Sequence, residues 1–145
     1  MNDFNEMITT EFRANRGHVS TYGFGDRLVL VHHVGAKSGE SRIAPLMGIP
    51  VGDSWLIAAS AAGAAKHPGW YFNLIEAPDT EIEVPAPEGA DTVDGVDTVA
   101  VRAVDLMGAE RDAAWQTFLA EAPAFAGYES RAAPRVIPVV RLDRR

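Results

Sequence analysis

The chain of 145 residues is 47% hydrophobic and 23% charged, which predicts one globular domain over residues 1–145 with a sizeable core. The complete lack of cysteine excludes disulfide frameworks and thiolate metal sites. A formal net charge of −7 argues against a protein that binds nucleic acid.

The first predicted element is a helix with an N-terminal cap. Asp3 followed by Glu6 resembles a capping box, and apolar residues then recur at helical spacing. Gly17 is typical of the residue that follows the end of a helix. We therefore expect a leading helix and loop over residues 1–26.

Three strands are predicted in succession after this segment. They cover residues 27–34, 41–49 and 55–60, with turns at residues 35–40 and 52–53. Pro45 and Pro50 indicate that the middle strand lies at an edge or contains a bulge or strand end, because proline cannot donate a ladder hydrogen bond.

A short helix and two more strands come next. Pro68 opens the helix in its first turn, and Pro78 ends it. The strands are predicted at residues 81–84 and 96–104, joined by an acidic loop that contains Gly and Pro.

The last third of the chain is predicted to contain a longer helix, a short helical piece and a strand. Asp105 is interpreted as the cap of a helix that runs through Glu121, and residues 136–142 as the final strand. Six short strands, three of them in succession, favour an α+β fold, with a closed six-stranded antiparallel barrel and peripheral helices, over a parallel dinucleotide fold.

Several common functional motifs are absent. Gly23-Phe24-Gly25 follows no predicted strand and lacks the third glycine of a dinucleotide fingerprint, and no G-x-S-x-G occurs. His32 and His33 are adjacent on a strand and must point to opposite faces, so we interpret both as structural rather than as metal ligands.

Residues 35–42 combine a glycine-bounded turn with two cations. Such a turn can direct backbone N–H groups at an anion, while Lys37 and Arg42 add formal charge. The alternative is a hairpin turn with solvated charges. Residues 13–74 carry a net charge of +3 in an acidic chain, which fits an anionic small molecule.

Two further segments suit a flat ligand. Residues 58–66 are mostly small, so a ring can approach the backbone there and meet the Ser60 hydroxyl; the alternative is a flexible loop. In residues 67–74 a helix N-terminus can face an anion while Trp70 and Tyr71 wall a pocket. The alternative is that these aromatic residues belong to the core.

In this order along the chain, the segments resemble the deazaflavin-dependent nitroreductase family. Its members are small split-barrel reductases that use the 8-hydroxy-5-deazaflavin coenzyme F-420. The resemblance runs from Phe12 to the end of the chain and rests on Lys37-Ser38-Gly39, Arg42, Pro45-Leu46, Ala59-Ser60, Lys66-His67-Pro68, residues 70–74, Phe125, Tyr128 and residues 137–140.

The resemblance implies a split β-barrel oxidoreductase that passes a hydride from reduced F-420 to an organic acceptor, namely an activated C=C bond, a quinone or a nitro compound. It implies that the coenzyme's phosphate and acidic tail meet Lys37, Ser38, Gly39, Arg42 and Lys66. The other implied coenzyme-binding residues are Pro45, Ala58, Ala59, Ser60, Ala61, Gly69, Trp70, Tyr71 and Asn73. The acceptor is expected beside Met47, Ser60 and Tyr128, with Ser60 and Tyr128 as catalytic hydroxyls.

Two alternatives to this function stay open: an FMN-binding split-barrel oxidoreductase, and a non-catalytic protein that binds a coenzyme or a lipid. No apolar run approaches the roughly 18 to 20 residues that span a bilayer, and no basic leader is present. We therefore expect a cytoplasmic protein. Loose membrane association, and a monomer or a homodimer, are compatible with the sequence.

Overall fold

A curled antiparallel sheet of seven strands organises the fold in the computed structural model, which describes residues 3–87, 89–92 and 94–145. Four α-helices surround the sheet in this described part, giving an α+β fold. The elements are α1 Asp3–Ala14, β1 Leu28–Val34, β2 Ser41–Met47, β3 Ile49–Val51, β4 Ser54–Ala58, α2 Gly69–Glu76, β5 Asp79–Pro85, β6 Val96–Asp105, α3 Gly108–Glu121, α4 Phe125–Ala132 and β7 Val139–Arg144.

The strand order is β2-β1-β5-β6-β7-β4-β3, and every pair is antiparallel. The sheet curls so that the edge strand β2 also contacts β4, with which it does not pair, and a half-barrel results. Pro45 and Pro50 lie on the two edge strands, as their lack of an N–H donor predicts.

The sheet is a half-barrel rather than the closed barrel we predicted, since β2 and β3 remain as its two edges. It also has one strand more than the six we predicted, because residues 41–49 form two strands instead of one. The chain breaks at Gly48, whose N–H donates to the carbonyl of Arg27 at 2.9 Å. A Cβ at Gly48 would lie 2.8 Å from Cγ1 of Val29. The main chain therefore passes directly over β1 as it moves from one edge of the sheet to the other.

The prediction that Asp105 caps the following helix is wrong. Asp105 is the last residue of β6, and its Oδ2 accepts a hydrogen bond of 2.7 Å from the hydroxyl of Tyr71. The helix begins three residues later, at Gly108. The final strand begins at Val139 rather than at residue 136.

Successive strand residues pack into different apolar clusters. The inner cluster contains Val29 and Val31 of β1, whereas Leu28 and Leu30 pack with Ile8 and Phe12 of α1 on the other face. A third cluster joins β4 and β7 to α3 and α4. The helices thereby cover the sheet and leave its edge β2 beside the segment that follows β4.

Candidate functional site

The turn that joins β1 to β2 has a compact backbone that favours glycine at two positions. The N–H of Gly39 donates to the carbonyl of Gly35 at 2.9 Å, with a φ of +71° at Gly39. A Cβ at Gly35 would lie 2.5 Å from Oγ of Ser38. This turn leaves Lys37 and Arg42 exposed on the same side of the molecule as α2.

Asn73 of α2 holds the turn in place. Its Oδ1 accepts a hydrogen bond of 3.0 Å from the N–H of Ala36, and its Nδ2 donates to Nδ1 of His33, also at 3.0 Å. Burial, and then the nearby charge of Arg42, lower the pKa of His33 to about 4. His33 is therefore neutral at physiological pH, which it must be to accept the hydrogen bond from Asn73.

An open cleft of about 420 Å³ lies between the turn and α2. A Cβ at Gly69 would meet no atom within 4 Å, so the first turn of α2 opens into free space. Lys37, Arg42 and the partial positive charge of the helix N-terminus give the cleft the chemistry of a phosphate or carboxylate site. The cleft is lined by Gly35, Ala36, Lys37, Ser38, Arg42, Gly69, Phe72 and Asn73.

A larger cavity of about 770 Å³ begins at the next residue of α2, Trp70. Its wall is mostly apolar, with the hydroxyl-bearing side chains of Ser60 and Tyr128 among its lining residues. Ser60 is 8% exposed, so a ligand in this cavity would meet its hydroxyl away from bulk water. Such a wall suits a flat apolar ligand that needs a few hydrogen bonds.

The leading segment contributes to the same cavity. Phe4 of α1, Tyr22 and Phe24 line it, and the rings of Phe4 and Tyr22 lie 5.7 Å apart. Met1 and Asn2, the first two residues of the predicted leading segment, lie outside the described residues.

The segment after β4 is strained where it borders the cavity. Ala61 and Ala62 adopt the left-handed conformation, with φ of 46° and 53°. Each such residue costs roughly 1 to 2 kcal/mol when it is not glycine. The guanidinium of Arg135 donates hydrogen bonds to three carbonyls around this strain, those of Ala59, Ser60 and Ala64.

Sequence reasoning missed Arg135. Its partners are main-chain oxygens 71 to 76 residues away, which leave no side-chain pattern in the sequence. Arg135 also ends a stretch between α3 and the last strand, residues 122–135, in which the apolar residues gave no periodic signal. The resemblance to a family likewise assigned it no role.

Most of the predicted site residues meet at the two cavities. Lys37, Ser38, Arg42, Gly69 and Asn73 line the cleft, while Pro45, Met47, Ala58, Ser60, Ala61, Trp70 and Tyr128 line the larger cavity. Gly39 closes the turn beside the cleft, and Ala59 is fully buried next to Ser60.

The structure does not bring Lys66 or Tyr71 to either cavity. Lys66 is exposed in the loop before α2. The hydroxyl of Tyr71 points to Asp105; burial and this hydrogen bond raise the pKa of Tyr71 to about 12. Tyr71 therefore differs from its neighbours Trp70 and Phe72, each of which lines one of the cavities.

The described residues contain no cluster of three or more His, Asp or Glu side chains that could hold a metal ion. Within the same ranges, no helix has both the length and the apolar character to cross a membrane. A cleft with two exposed cations and a mostly apolar cavity adjoin along the first turn of α2.

Comparison with known proteins gives consistent matches. The family model described as F420H(2)-dependent quinone reductase matches residues 6–143. The F420H(2)-dependent quinone reductase Rv1261c of Mycobacterium tuberculosis is 37% identical over 120 residues, which cover 81% of this chain and 73% of that protein.

Two solved structures are similar over most of the chain. One, described as an F420-H2 dependent reductase (FDR-A), has a TM-score of 0.66 and 31% identity, covering 81% of this chain and 94% of its own. Another, described as a domain-swapped dimer, has a TM-score of 0.64 and 32% identity, covering 81% and 80%. The split-barrel-like fold is thus shared with these proteins.

Proposed function

We infer that this chain, which belongs to the F420H(2)-dependent quinone reductase family, passes a hydride from reduced coenzyme F-420 to an acceptor in the larger cavity. As a member it is an oxidoreductase, its cofactor is F-420, and quinone-type molecules are its acceptors. We further propose activated C=C bonds and nitro compounds as acceptors, because they too are electron-poor groups that accept a hydride.

The observation that carries this proposal is the contact between two cavities of opposite character. Gly69 lines the cationic cleft, and Trp70, the next residue, lines the apolar cavity. A coenzyme with an anionic tail and a flat ring needs such a pair of adjacent environments. We propose that Lys37, Arg42 and the N-terminus of α2 meet the phosphate and tail.

The ring side of the proposed site is built from small residues and one indole. Ala58 and Ala61 allow a ring to approach the main chain closely, and Trp70 supplies an apolar wall. Lys66 and Tyr71 have no part in this proposal.

Reduced F-420, when bound, supplies the hydride. The residues of the chain hold the two reactants together and keep water out of the apolar cavity. An acceptor that gains a hydride develops negative charge, which the hydroxyls of Ser60 and Tyr128 can stabilise by hydrogen bonding. We propose these two hydroxyls as the catalytic groups.

The test is a turnover measurement with the purified protein. Reduced F-420 is mixed with 2-methyl-1,4-naphthoquinone without oxygen, and the return of oxidised deazaflavin absorbance is followed. We expect reoxidation that depends on both protein and quinone, and none above background with NADPH or reduced FMN as donor. Turnover with reduced FMN but not with F-420 would contradict the proposal, and binding of F-420 without turnover of any acceptor would indicate a carrier.

A further inference from the structure

Arg135 follows α4 and reaches the main chain of the segment between β4 and α2. Its Nε donates to the carbonyl of Ala64 at 2.9 Å, its Nη1 to that of Ala59 at 3.0 Å and its Nη2 to that of Ser60 at 2.8 Å. These carbonyls lie on both sides of the two left-handed alanines. One planar guanidinium, whose donors are fixed in a rigid fork, therefore restrains the whole strained turn, whereas a lysine ammonium is a point charge on a flexible stem.

His67 completes the coordination of the guanidinium. Nη1 of Arg135 lies 2.8 Å from Nδ1 of His67, so this nitrogen must accept the hydrogen bond. Burial, and then the charge of Arg135, lower the pKa of His67, while Asp105 acts in the opposite direction. The imidazole is thus kept in the neutral form that Arg135 requires.

The same segment is also packed against α4, which carries Tyr128. A Cβ at Gly63 would lie 2.8 Å from Cβ of Arg131 and 3.0 Å from the carbonyl oxygen of Tyr128. The N–H of Gly63 donates to the carbonyl of Ser60 at 2.9 Å. The segment that carries Ser60 and the helix that carries Tyr128 are consequently held as one unit.

We propose that Arg135 is a positioning residue for the hydride transfer, because it fixes the strained segment that places the Ser60 hydroxyl in the wall of the larger cavity. Arg135 is not among the described residues that line either cavity, so it acts through Ser60. The proposal rests on the proposed function, in which that hydroxyl meets the acceptor. It requires Arg135 to affect the rate of turnover more strongly than the affinity for the coenzyme.

Arg135→Lys is the first variant, because it keeps the charge and loses the planar set of donors. We expect kcat for the naphthoquinone to fall about tenfold or more, as expected when a hydroxyl loses its position. The Kd for F-420 should change much less than kcat, because the cationic cleft that meets the phosphate and tail is untouched and only the ring side of the site includes Ala61. Arg102→Lys is the matched control: Arg102 is exposed and pairs with Asp79 at 2.8 Å on the sheet, so kcat and Kd should both stay unchanged.

A double-mutant cycle with Ser60→Ala separates positioning from general damage. If Arg135 acts through Ser60, Arg135→Lys should lower kcat little further when the hydroxyl is already absent. If the fold-loss in kcat of the double variant equals the product of the two single-variant losses, the proposal is overturned.

Hydrogen exchange in the coenzyme-free protein supplies a readout that does not depend on activity. The amides of Gly63 and Ala64, which donate to Ser60 and Ala61, should exchange faster in Arg135→Lys, while amides of α3 keep their wild-type rates. Faster exchange throughout the protein would mean a general structural role for Arg135 and would overturn the proposal. The proposal would also be overturned if Arg135→Lys changed neither the exchange rates nor kcat. If Arg135→Lys shows the local exchange effect but the wild-type protein does not turn over F-420, the proposed function fails while the restraint by Arg135 stands.

Discussion

At the scale of single residues, Arg42 and Lys37 belong to one turn but are held differently. Arg42 lies on β2 opposite His33, whereas Lys37 is at the exposed tip of the turn. We expect Arg42→Ala to raise the Kd for F-420 by about ten- to a hundredfold, since charge-assisted hydrogen bonds contribute roughly 1.5 to 3 kcal/mol. Lys37→Ala should raise it less, and less again at high salt, because its contact with a solvated tail is screened. Titration of the coenzyme into each variant measures both effects.

A tail-less coenzyme analogue and Arg102→Ala provide the controls for these two variants. The effect of Lys37→Ala should shrink with the analogue, and Arg102→Ala should bind both forms as wild type does. If Arg42→Ala also binds both forms normally, the anion site lies elsewhere.

Ser60 is expected to matter for the rate rather than for binding. Ser60 lines the larger cavity. In the proposed mechanism its hydroxyl meets negative charge that the acceptor carries in the transition state but not in the ground state. Ser60→Ala should therefore lower kcat by up to about 10²-fold while the Kd for F-420 changes little. Steady-state kinetics with the naphthoquinone and a coenzyme titration test this.

The matched control is Ser130→Ala on the exposed face of α4, which should leave kcat unchanged. Unchanged kcat in both Ser60→Ala and Tyr128→Phe would show that neither hydroxyl stabilises the acceptor and that its proton comes from another source.

At the scale of elements, the packing of the 59–64 segment against α4 depends on Gly63. Its φ is +84°, and an added Cβ would be too close to Arg131 and to the main chain of Tyr128. We expect Gly63→Ala to destabilise the protein by about 1 to 3 kcal/mol through overpacking, in addition to backbone strain of about 1 kcal/mol. Urea denaturation measures the free energy of unfolding.

Gly52→Ala is the matched control, because Gly52 also has a positive φ, +59°, but an added Cβ there would meet no atom within 4 Å. Gly52→Ala should lower the free energy of unfolding only by the backbone strain. If the free energy of unfolding falls equally in Gly63→Ala and Gly52→Ala, the close approach of Gly63 to α4 contributes nothing to the effect of Gly63→Ala.

The attachment of α1 to the sheet depends on Glu83 of β5. Arg13 donates to both of its carboxylate oxygens, at 2.9 and 2.8 Å, and Nε2 of His32 lies 2.7 Å from Oε2. Burial raises the pKa of Glu83, but the hydrogen bonds and charges of Arg13 and His32 outweigh it, so the pKa is lower than its usual value of 4.5. The charged carboxylate is thus favoured in the folded state.

Because the folded-state pKa of Glu83 is lowered, its stabilising effect is complete above the usual pKa of 4.5 and is lost as the pH falls through the folded-state value. We expect Glu83→Gln to lower the free energy of unfolding most at neutral pH, with a difference from wild type that shrinks in acid. Glu81→Gln, an exposed position on the same strand, should show no such dependence. A difference that does not change with pH would show that the ionised state of Glu83 is unimportant.

At the scale of the whole molecule, the apolar clusters share strands. Leu56 and Ile57 are neighbours on β4 but pack into different clusters, and Val139 and Val140 do the same on β7. We therefore propose that residues 1–145 form one domain and expect one cooperative unfolding transition. Circular dichroism and the fluorescence of Trp55 and Trp115, which lie in different clusters, should give the same midpoint. Two separate midpoints would contradict a single domain.

The sequence by itself determined the features that depend on neighbouring residues. The sequence predicted the leading helix, the strand β1, the glycine turn before β2 and the proline-opened helix α2, because their signals lie within a few residues of each other. The order of the turn, the small-residue segment and the aromatic helix was also enough to identify the family, which the comparisons confirm.

The tertiary structure alone decided features that depend on residues distant in the chain. Gly48 breaks the predicted strand because β1 passes beneath it, and Asp105 stays in β6 because it pairs with Val140 of β7. Tyr71 lines neither cavity although its neighbours Trp70 and Phe72 do, because its hydroxyl donates to Asp105. Arg135 binds main-chain oxygens, which every residue carries, so its partners could be found only once the fold had brought them within hydrogen-bonding distance.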